Sequence, residues 1–327
     1  MDTPFTPPFL LRNPHVQTVF ASLAPRKKLA KQRAKHLLAA SRDIILQCGN
    51  RVRLLGAYSA RPKNDKGLVI LIHGWEGSSN SAYLLSAAGY LYNQGCNIFR
   101  LNLRDHGESY HLNRDFFNSN RLDEVVGAVA EILRLFPHKQ AFLAGFSLGG
   151  NFALRVGFKA CEAQLRLTKI AAISPLIDPV ATTNILEQRY PVYQHYFIKK
   201  WKRSLQKKIE LFPDLENKAI LHGLRSLAAM HDYFVPRHTD HPTTHAYLSS
   251  YKITQEQLNT LRIPTHIIAS SDDPITPWQK DFFSVPRTPW LTVDELRYGG
   301  HCGFLQSYTL TSWADQRLAQ FFATPST

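Results

Sequence analysis

The pentapeptide Gly145-Phe146-Ser147-Leu148-Gly149 restricts the fold of this chain more than any other stretch. A short apolar run precedes it at residues 140–144, and residues 150–156 have the composition of a helix. Glycine at both ends lets a sharp strand-to-helix turn close, because a side chain there would collide with the neighbouring elements. The pattern therefore predicts a buried strand, a tight turn that exposes the Ser147 hydroxyl, and a helix whose first N–H groups face it.

Acidic and histidine side chains follow two later strands in the order expected for a serine nucleophile. The predicted strand at residues 265–270 ends at Asp272 and Asp273, and the last predicted strand ends near His301. A histidine can take the serine proton and return it to the leaving group, while a carboxylate holds the imidazole. We predict a triad of Ser147, Asp273 and His301. Asp273 is preferred because it begins the common Asp-x-Ile-x-Pro pattern, and Asp272 stays open as the alternative.

The loop after an early buried strand is predicted to stabilise an oxyanion. Leu68–Ile72 is an unbroken apolar run, typical of a strand buried on both faces, and it leads into His73-Gly74-Trp75-Glu76-Gly77. With a serine elbow, one oxyanion donor comes from such a loop and the other from the residue after the serine. We therefore assign the donors to the backbone N–H groups of Trp75 and Leu148. The alternative is a turn that only ends the strand.

Asp105 and His106 also follow a predicted strand, but they precede Ser147 in the chain. The triad order places its acid and histidine after the serine. We therefore expect these two residues to order the loop beside the site rather than to catalyse.

Strand and helix patterns alternate along most of the chain. The predicted strands are residues 43–48, 52–59, 68–72, 97–102, 140–144, 167–174, 265–270 and 291–297, the first two forming a hairpin. The predicted helices are residues 81–93, 122–135, 150–156, 309–322 and a stretch from Trp278. Alternating units with short loops favour an α/β fold with a mostly parallel central sheet and helices on both faces.

The patterns divide the chain into four parts. Residues 1–40 form an N-terminal segment expected to pack on the body, where the basic run at 26–35 predicts a solvated link or, less favoured, a membrane-surface contact. Residues 41–179 form the first part of the core. Residues 180–251 are aromatic, basic and helix-leaning, and we predict a lid inserted over the site; the alternative is surface helices that lengthen a crossover. Residues 252–327 form the second part of the core.

The charge balance favours anionic partners. The chain carries 39 Lys and Arg against 25 Asp and Glu, a net charge of +14. Such a surface attracts acidic lipid head groups, nucleic acid or acidic substrates, although a basic solvated surface is the simplest interpretation. We predict no nucleic-acid partner and no obligate protein partner, and weak contact with an anionic membrane surface is a further hypothesis.

The spacing of the cysteines and the length of the apolar runs bear on the cellular compartment of the protein. The four cysteines lack a Cys-x-x-Cys spacing, which in a chain of 327 residues favours a reducing compartment over a disulfide framework. No stretch has the apolar length of a membrane span, and the N-terminus lacks the pattern of a signal peptide. We expect a cytoplasmic protein, with a peripheral position at the membrane surface as a second hypothesis.

Three histidines, His238, His241 and His245, lie close together in the sequence. Pro242 interrupts any helix that could align them, so we expect loop histidines rather than a metal site. The predicted chemistry needs no metal and no cofactor.

Motifs spread over nearly the whole chain resemble those of one known family. They are Leu11-Arg12-Asn13-Pro14-His15-Val16-Gln17-Thr18, His73-Gly74-Trp75-Glu76-Gly77, Asn102-Leu103-Arg104-Asp105-His106-Gly107, Gly145-Phe146-Ser147-Leu148-Gly149-Gly150-Asn151, Ser174-Pro175-Leu176-Ile177-Asp178-Pro179, Asp272-Asp273-Pro274 and Gly299-Gly300-His301-Cys302-Gly303-Phe304. Together they resemble the YheT-like branch of the α/β hydrolases, related to the mammalian ABHD1/ABHD3 group. The resemblance implies an α/β-hydrolase fold and hydrolysis of carboxylic esters, commonly with short or medium acyl chains, and with lipid substrates among the mammalian relatives.

The predicted activity is therefore that of a serine hydrolase that cleaves a small-molecule or lipid ester through an acyl-enzyme. Two alternatives remain open. An acyltransferase would use the same triad with an acceptor other than water. A binding module on a hydrolase scaffold would have no catalysis, because a fold does not specify a function. No substrate-binding residue can be assigned from the pattern.

Overall fold

A computed structural model describes residues 5–61, 65–277 and 288–324. Its centre is an eight-stranded sheet in the order β1-β2-β4-β3-β5-β6-β7-β8. The strands are β1 (Ser41–Gln47), β2 (Arg53–Ser59), β3 (Leu68–Ile72), β4 (Asn97–Leu101), β5 (Ala141–Phe146), β6 (Lys169–Ile173), β7 (Thr265–Ser270) and β8 (Leu291–Leu296).

Helices connect these strands and cover the sheet. They are α1 (Pro14–Phe20), α2 (Ala24–Arg33), α3 (Lys35–Ala39), α4 (Ala82–Asn93), α5 (Leu122–Leu135), α6 (Leu148–Lys159), α7 (Pro179–Gln188), α8 (Pro191–Leu211), α9 (Ile220–Gly223), α10 (Leu227–His238), α11 (Thr244–Ser250), α12 (Gln255–Asn259) and α13 (Trp313–Ala323). A 3₁₀ turn at Phe9–Leu11 precedes them.

The sheet is mostly parallel, as predicted. Strand β2 pairs antiparallel with both β1 and β4, and the other neighbouring pairs are parallel. Parallel strands covered on both faces are apolar along their whole length, and every residue of β3 is buried. The predicted hairpin corresponds to β1 and β2, and the other predicted strands agree with the observed ones to within about two residues.

Alternation along β3 explains why helices cover both faces of the sheet. Leu68, Ile70 and Ile72 pack with apolar residues of α5 and α6 on one face. Val69 and Leu71 point to the other face and pack with α4 and α13. Successive side chains of a strand point to opposite faces, so one apolar run supplies two cores.

The expectation of a solvated link at residues 26–35 is partly wrong. Its lysines and Arg33 are exposed, as expected, but the run is helical and packs on the body. Ala30 and Ala34 are buried against α4, and Gly89 of α4 permits the close approach, since a Cβ there would lie 2.9 Å from the Cβ of Ala34. Arg26 is 1% exposed and its guanidinium donates to the carbonyl of Ala21. Small apolar residues at a spacing of four make a narrow stripe that packs a helix even inside a basic run.

The C-terminal part differs from expectation at two places. The last helix begins at Trp313 rather than at residue 309, because Leu305 and Ser312 form an antiparallel β-bridge that closes the residues between them into a turn. The helix predicted from Trp278 lies outside the described residues.

Helices α7 to α11 lie between β6 and β7. Side chains of α7 to α10 share an apolar cluster, whereas Tyr247 and Leu248 of α11 pack with the core on the α5 and α6 face of the sheet. The longest, α8, has 21 residues, a length of about 30 Å at 1.5 Å per residue. Phe197 of this helix stacks on Trp75 with ring centroids 5.2 Å apart, and Trp201 meets the same indole edge-on at 5.4 Å. Within the three described ranges, no helix combines the length and the hydropathy needed to cross a membrane.

Candidate active site

Ser147 occupies the turn between β5 and α6 in a strained backbone conformation, with φ 54° and ψ −119°. A Cβ at Gly145 would lie 1.9 Å from the carbonyl oxygen of Gly149, and one at Gly149 would lie 2.4 Å from that of Ile72. Both positions therefore require glycine. The backbone N–H of Ser147 donates to the carbonyl of Ile173 at 2.9 Å, which ties the turn to β6.

Asp273 and His301 form a hydrogen-bonded pair across two strand ends. The Oδ2 of Asp273 lies 2.8 Å from the Nδ1 of His301, so a proton on Nδ1 is donated to the carboxylate. The carboxylate is itself held in place, because Oδ1 accepts from the N–H groups of Ile275 and Thr276 and Oδ2 accepts from the Thr276 hydroxyl. This arrangement leaves the opposite ring nitrogen, Nε2, for chemistry.

Asp272 points elsewhere. Its Oδ1 accepts from the backbone N–H of Gly300 at 2.9 Å, so it supports the loop that carries His301 rather than contacting the imidazole. Burial raises the pKa of this carboxyl. Of the two aspartates that the sequence left open, the ring is hydrogen-bonded to Asp273.

The electrostatics of His301 favour the imidazolium. Burial works against a charged ring, but the negative charge of Asp273 beside Nδ1 outweighs it and raises the pKa of His301 well above its usual range. A base that takes a proton from a serine becomes an imidazolium, and a carboxylate at Nδ1 stabilises that product.

One cavity of about 690 Å³ brings the candidate residues together. Ser147, His301, Trp75 and Leu148 all line it, and Asp273 lies behind the imidazole. We call this space the main cavity. Its lining joins the carboxyl ends of neighbouring strands, where α/β proteins place their ligands.

The backbone N–H groups of Trp75 and Leu148 are available to a ligand. Neither donates a hydrogen bond to any acceptor among the described residues. The loop around Trp75 is fixed on both sides, because the N–H of Gly74 donates to the Tyr83 hydroxyl at 2.9 Å and that of Glu76 donates to His106 at 3.1 Å. Two free donors on a fixed frame suit an anionic oxygen.

His106 orders this loop, as expected, whereas the hydrogen bonds of Asp105 go to other segments. His106 accepts from Glu76 through Nε2 and therefore donates from Nδ1 to the carbonyl of Arg104, 2.7 Å away. Burial lowers the pKa of His106 to about 4, which keeps the ring neutral. Asp105 pairs with the buried Lys208 at 2.7 Å.

Two N-terminal residues that the sequence did not single out for the site support the loop of His301. The backbone N–H of His301 donates to the hydroxyl of Thr18 at 2.9 Å. The buried Gln17 amide accepts from the N–H of Leu305 at 2.7 Å and donates to its carbonyl at 3.1 Å. A Cβ at Gly300 would lie 2.5 Å from the carbonyl of Pro14, so helix and loop are in tight contact. The motif at residues 11–18 could be recognised in the sequence, but the sequence did not show that it packs against the loop of His301.

A second cavity of about 100 Å³ adjoins the main one and is mainly aromatic and aliphatic. The two share Trp75, Leu148, Leu176, Thr182 and Leu186. The remaining aromatic side chains in its wall come mostly from the predicted lid and include Trp201, Phe234, Tyr247 and Tyr251.

Only one of the three clustered histidines lies in a loop, so that expectation is partly wrong. His238 is the last residue of α10 and His245 lies in α11, while His241 occupies the connection. Pro242 lies between the two helices, as expected, but α10 reaches His238 and α11 includes His245, so two of the three histidines are helical. In the part of the chain that the structure describes, no group of three or more histidine, cysteine, aspartate or glutamate side chains could hold a metal ion.

Comparisons with known proteins agree with the fold. A family model described as the alpha/beta hydrolase fold matches residues 67–281. An abhydrolase domain-containing protein of Dictyostelium discoideum is 24% identical over 98% of this chain and 81% of its own length. The candidate esterase YheT of Escherichia coli (strain K12) is 24% identical over 84% of this chain and 82% of its own length.

Solved structures show the same fold. The esterase Pf2001 of Pyrococcus furiosus superposes with a TM-score of 0.58 at 16% identity, covering 88% of this chain and 91% of that one. The carboxylesterase CesB of Bacillus subtilis superposes with a TM-score of 0.54 at 14% identity, covering 92% and 98%.

Proposed function

The chain is a YheT-like member of the α/β-hydrolase family, and we propose that it is a serine esterase acting through an acyl-enzyme. One observation carries the proposal. Ser147 on its strained turn and His301, hydrogen-bonded to Asp273, line one cavity with two unused backbone donors. The names of the relatives support ester cleavage in general.

In the first half-reaction, the Ser147 Oγ attacks the ester carbonyl while Nε2 of His301 takes the hydroxyl proton. The carboxylate of Asp273 stabilises the imidazolium that forms. The N–H groups of Trp75 and Leu148 stabilise the negative oxygen of the tetrahedral intermediate. His301 then gives its proton to the departing alcohol, which leaves the acyl group on Ser147.

In the second half-reaction, water replaces the alcohol. His301 takes a proton from the water as its oxygen attacks the acyl carbonyl, and the same two N–H groups hold the oxyanion. Breakdown of this intermediate releases the carboxylic acid and returns the proton to the Ser147 oxygen.

The second cavity is the proposed acyl site, and the 180–251 segment is the proposed lid that encloses it. Leu148 and Trp75 border both cavities, so an acyl chain can enter the second cavity while its carbonyl faces the oxyanion donors. A volume of about 100 Å³ suits a short or medium chain better than a long one. The aromatic walls favour apolar chains over polar ones.

Activity-based labelling tests the proposal. A fluorophosphonate should label Ser147 in the folded wild type, and p-nitrophenyl esters from acetate to decanoate should be cleaved. Ser147→Ala should lose both, whereas Ser249→Ala, at an exposed serine of α11, should lose neither. A folded wild type that takes no label and cleaves none of these esters would leave a binding module as the better account.

A further inference from the structure

One face of helix α8 presents basic side chains to the main cavity. Lys200, Arg203, Ser204 and Lys207 all line it, at the helical spacing i, i+3, i+4 and i+7. We call these four residues the basic stripe. It extends over about 10 Å of helix axis.

The same face changes character toward the start of α8. Tyr193, Tyr196 and Phe197 line the main cavity one to two turns before Lys200, and the Tyr193 hydroxyl lies 2.9 Å from the Nδ1 of His15 in the N-terminal segment. The helix therefore offers an aromatic end and a basic end to one ligand. Such a surface suits a molecule with separate apolar and charged parts.

Four cationic side chains line the main cavity: Lys27 from α2, and Lys200, Arg203 and Lys207 from α8. None of the four forms a salt bridge with another described residue. The Lys200 Nζ donates to the carbonyl oxygen of Glu76 at 3.0 Å, and the Lys207 Nζ lies 5.0 Å from the centre of the Tyr110 ring. Four positive charges thus face the cavity without a salt-bridge partner among the described residues.

Among the described residues, two carboxyl groups also line the cavity, those of Glu76 and Glu108. Glu76 is committed to the protein, since the Ser204 hydroxyl donates to its Oε2 at 2.6 Å. Burial raises the pKa of Glu76 to about 7, so near neutral pH it carries only part of a negative charge. The cavity is therefore net positive, which would attract an anion and repel a cation.

We propose that the ester cleaved at Ser147 carries an anionic oxyacid group, such as phosphate, on its alcohol part, bound by the basic stripe. This inference rests on the proposed function, because the assignment of Ser147 as the nucleophile defines where the scissile ester bond lies. The acyl part is assigned to the second cavity, where no described lining residue is a lysine or arginine. The alcohol part then lies under the basic stripe. An arginine fork flanked by lysines matches the oxygens of a phosphate.

A matched pair of substrates tests the proposal. Glycerol monobutyrate and its 3-phosphate share the acyl chain and the scissile bond and differ only in charge. We expect the phosphate ester to have the higher kcat/KM. This advantage should fall between about 0.01 M and about 1 M salt, as the Debye length falls from about 30 Å to about 3 Å, while the neutral ester changes little.

Variants on one helix locate the site. Arg203→Gln and Lys207→Gln should each raise KM for the phosphate ester about three- to fivefold, the scale of an exposed charge pair, with kcat nearly unchanged. Lys199→Gln, which removes the same charge from a residue of α8 outside both cavities, should leave both esters unaffected. Equal effects of all three variants, or equal kcat/KM for the two esters, would overturn the proposal.

Binding separates this proposal from the esterase assignment. Calorimetric titration of Ser147→Ala with the two glycerol esters should show tighter binding of the phosphate ester, whether or not the wild type cleaves it. Failure of turnover with retained phosphate preference would overturn the esterase assignment alone. Turnover of both esters without a phosphate preference would overturn the anionic site alone.

A third arm distinguishes a free phosphate ester from a lipid headgroup. 1-O-Hexadecyl-2-butyryl-glycerol 3-phosphate, held in phosphatidylcholine vesicles by its ether chain, is compared with the soluble butyryl ester, each against its neutral glycerol counterpart. A phosphate preference confined to the vesicles identifies a lipid headgroup, and one confined to the soluble pair identifies a free ester. Absence of the preference in both presentations overturns the proposal.

Discussion

The backbone N–H of His301 donates a 2.9 Å hydrogen bond to the Thr18 hydroxyl, which joins the first helix of the chain to the loop of the candidate base. The Thr18 hydroxyl in turn donates to the carbonyl of Pro14 at 2.7 Å, so its direction is set by the helix itself. Gln17 anchors the same loop four residues further on, at Leu305. The N-terminal segment is therefore part of the frame that positions the imidazole.

Replacing Thr18 with valine should misplace His301. The shape of the side chain is kept while the hydroxyl is lost, and we expect kcat to fall about tenfold, since small displacements of a catalytic group cost this much or more. The free energy of unfolding should fall by about 1 kcal/mol. Thr18→Ser should restore most of kcat. A loss of stability with unchanged kcat would show that Thr18 supports only the fold.

Asp273→Asn should lower kcat by about 10⁴, the scale known for loss of the carboxylate that orients a catalytic histidine. Asp272→Asn should cost far less, because Asp272 contacts the N–H of Gly300 and not the imidazole. Steady-state kinetics with p-nitrophenyl butyrate measure both. The reverse ranking would transfer the orienting role to Asp272.

The acid limb of the pH profile should depend on Asp273. A general base works only when neutral, so the rate falls as the pH drops below the pKa of His301. Asp273 raises that pKa, and its removal should therefore move the limb to lower pH. The rate of fluorophosphonate labelling against pH measures this for wild type and Asp273→Asn. A limb at the same pH in both would contradict the predicted contribution of Asp273.

The acyl site should give an optimum in chain length. Each buried methylene contributes about 0.8 kcal/mol, so kcat/KM should rise about three- to fourfold per carbon until the second cavity is full and then drop. Leu186→Phe adds volume at the boundary of both cavities and should shorten the optimum. Leu211→Phe, at the half-exposed end of α8, is the matched control. A flat profile from acetate to decanoate would exclude an acyl site there.

The net charge of +14 predicts weak binding to anionic membranes. Co-sedimentation with phosphatidylserine-containing vesicles should exceed that with phosphatidylcholine vesicles. The difference should vanish as salt rises toward about 1 M, where screening acts within about 3 Å. Equal co-sedimentation with both vesicle types at low salt would remove this hypothesis.

The features that the sequence determined are those set by neighbouring residues. Gly145 is needed because a Cβ there would collide with the backbone of Gly149, a constraint within five residues, whereas Gly149 is restricted by the backbone of Ile72 on β3. The unbroken apolar sequence of β3 predicts a strand covered on both faces of the sheet, because the side chains on either side of the strand face a core. Periodicity and steric size act locally, so they can be read along the chain.

Only the tertiary structure decided contacts between distant segments. The partner of Thr18 lies 283 residues away, and which of two adjacent aspartates meets His301 depends on the direction of each side chain at the end of β7. Arg26 is buried because α2 packs against α4, although its neighbours in the sequence are charged. The cations of α2 and α8 face one cavity only because the fold brings both helices to the cavity that Ser147 also lines. Such contacts follow from how whole elements pack, which no short stretch of sequence contains.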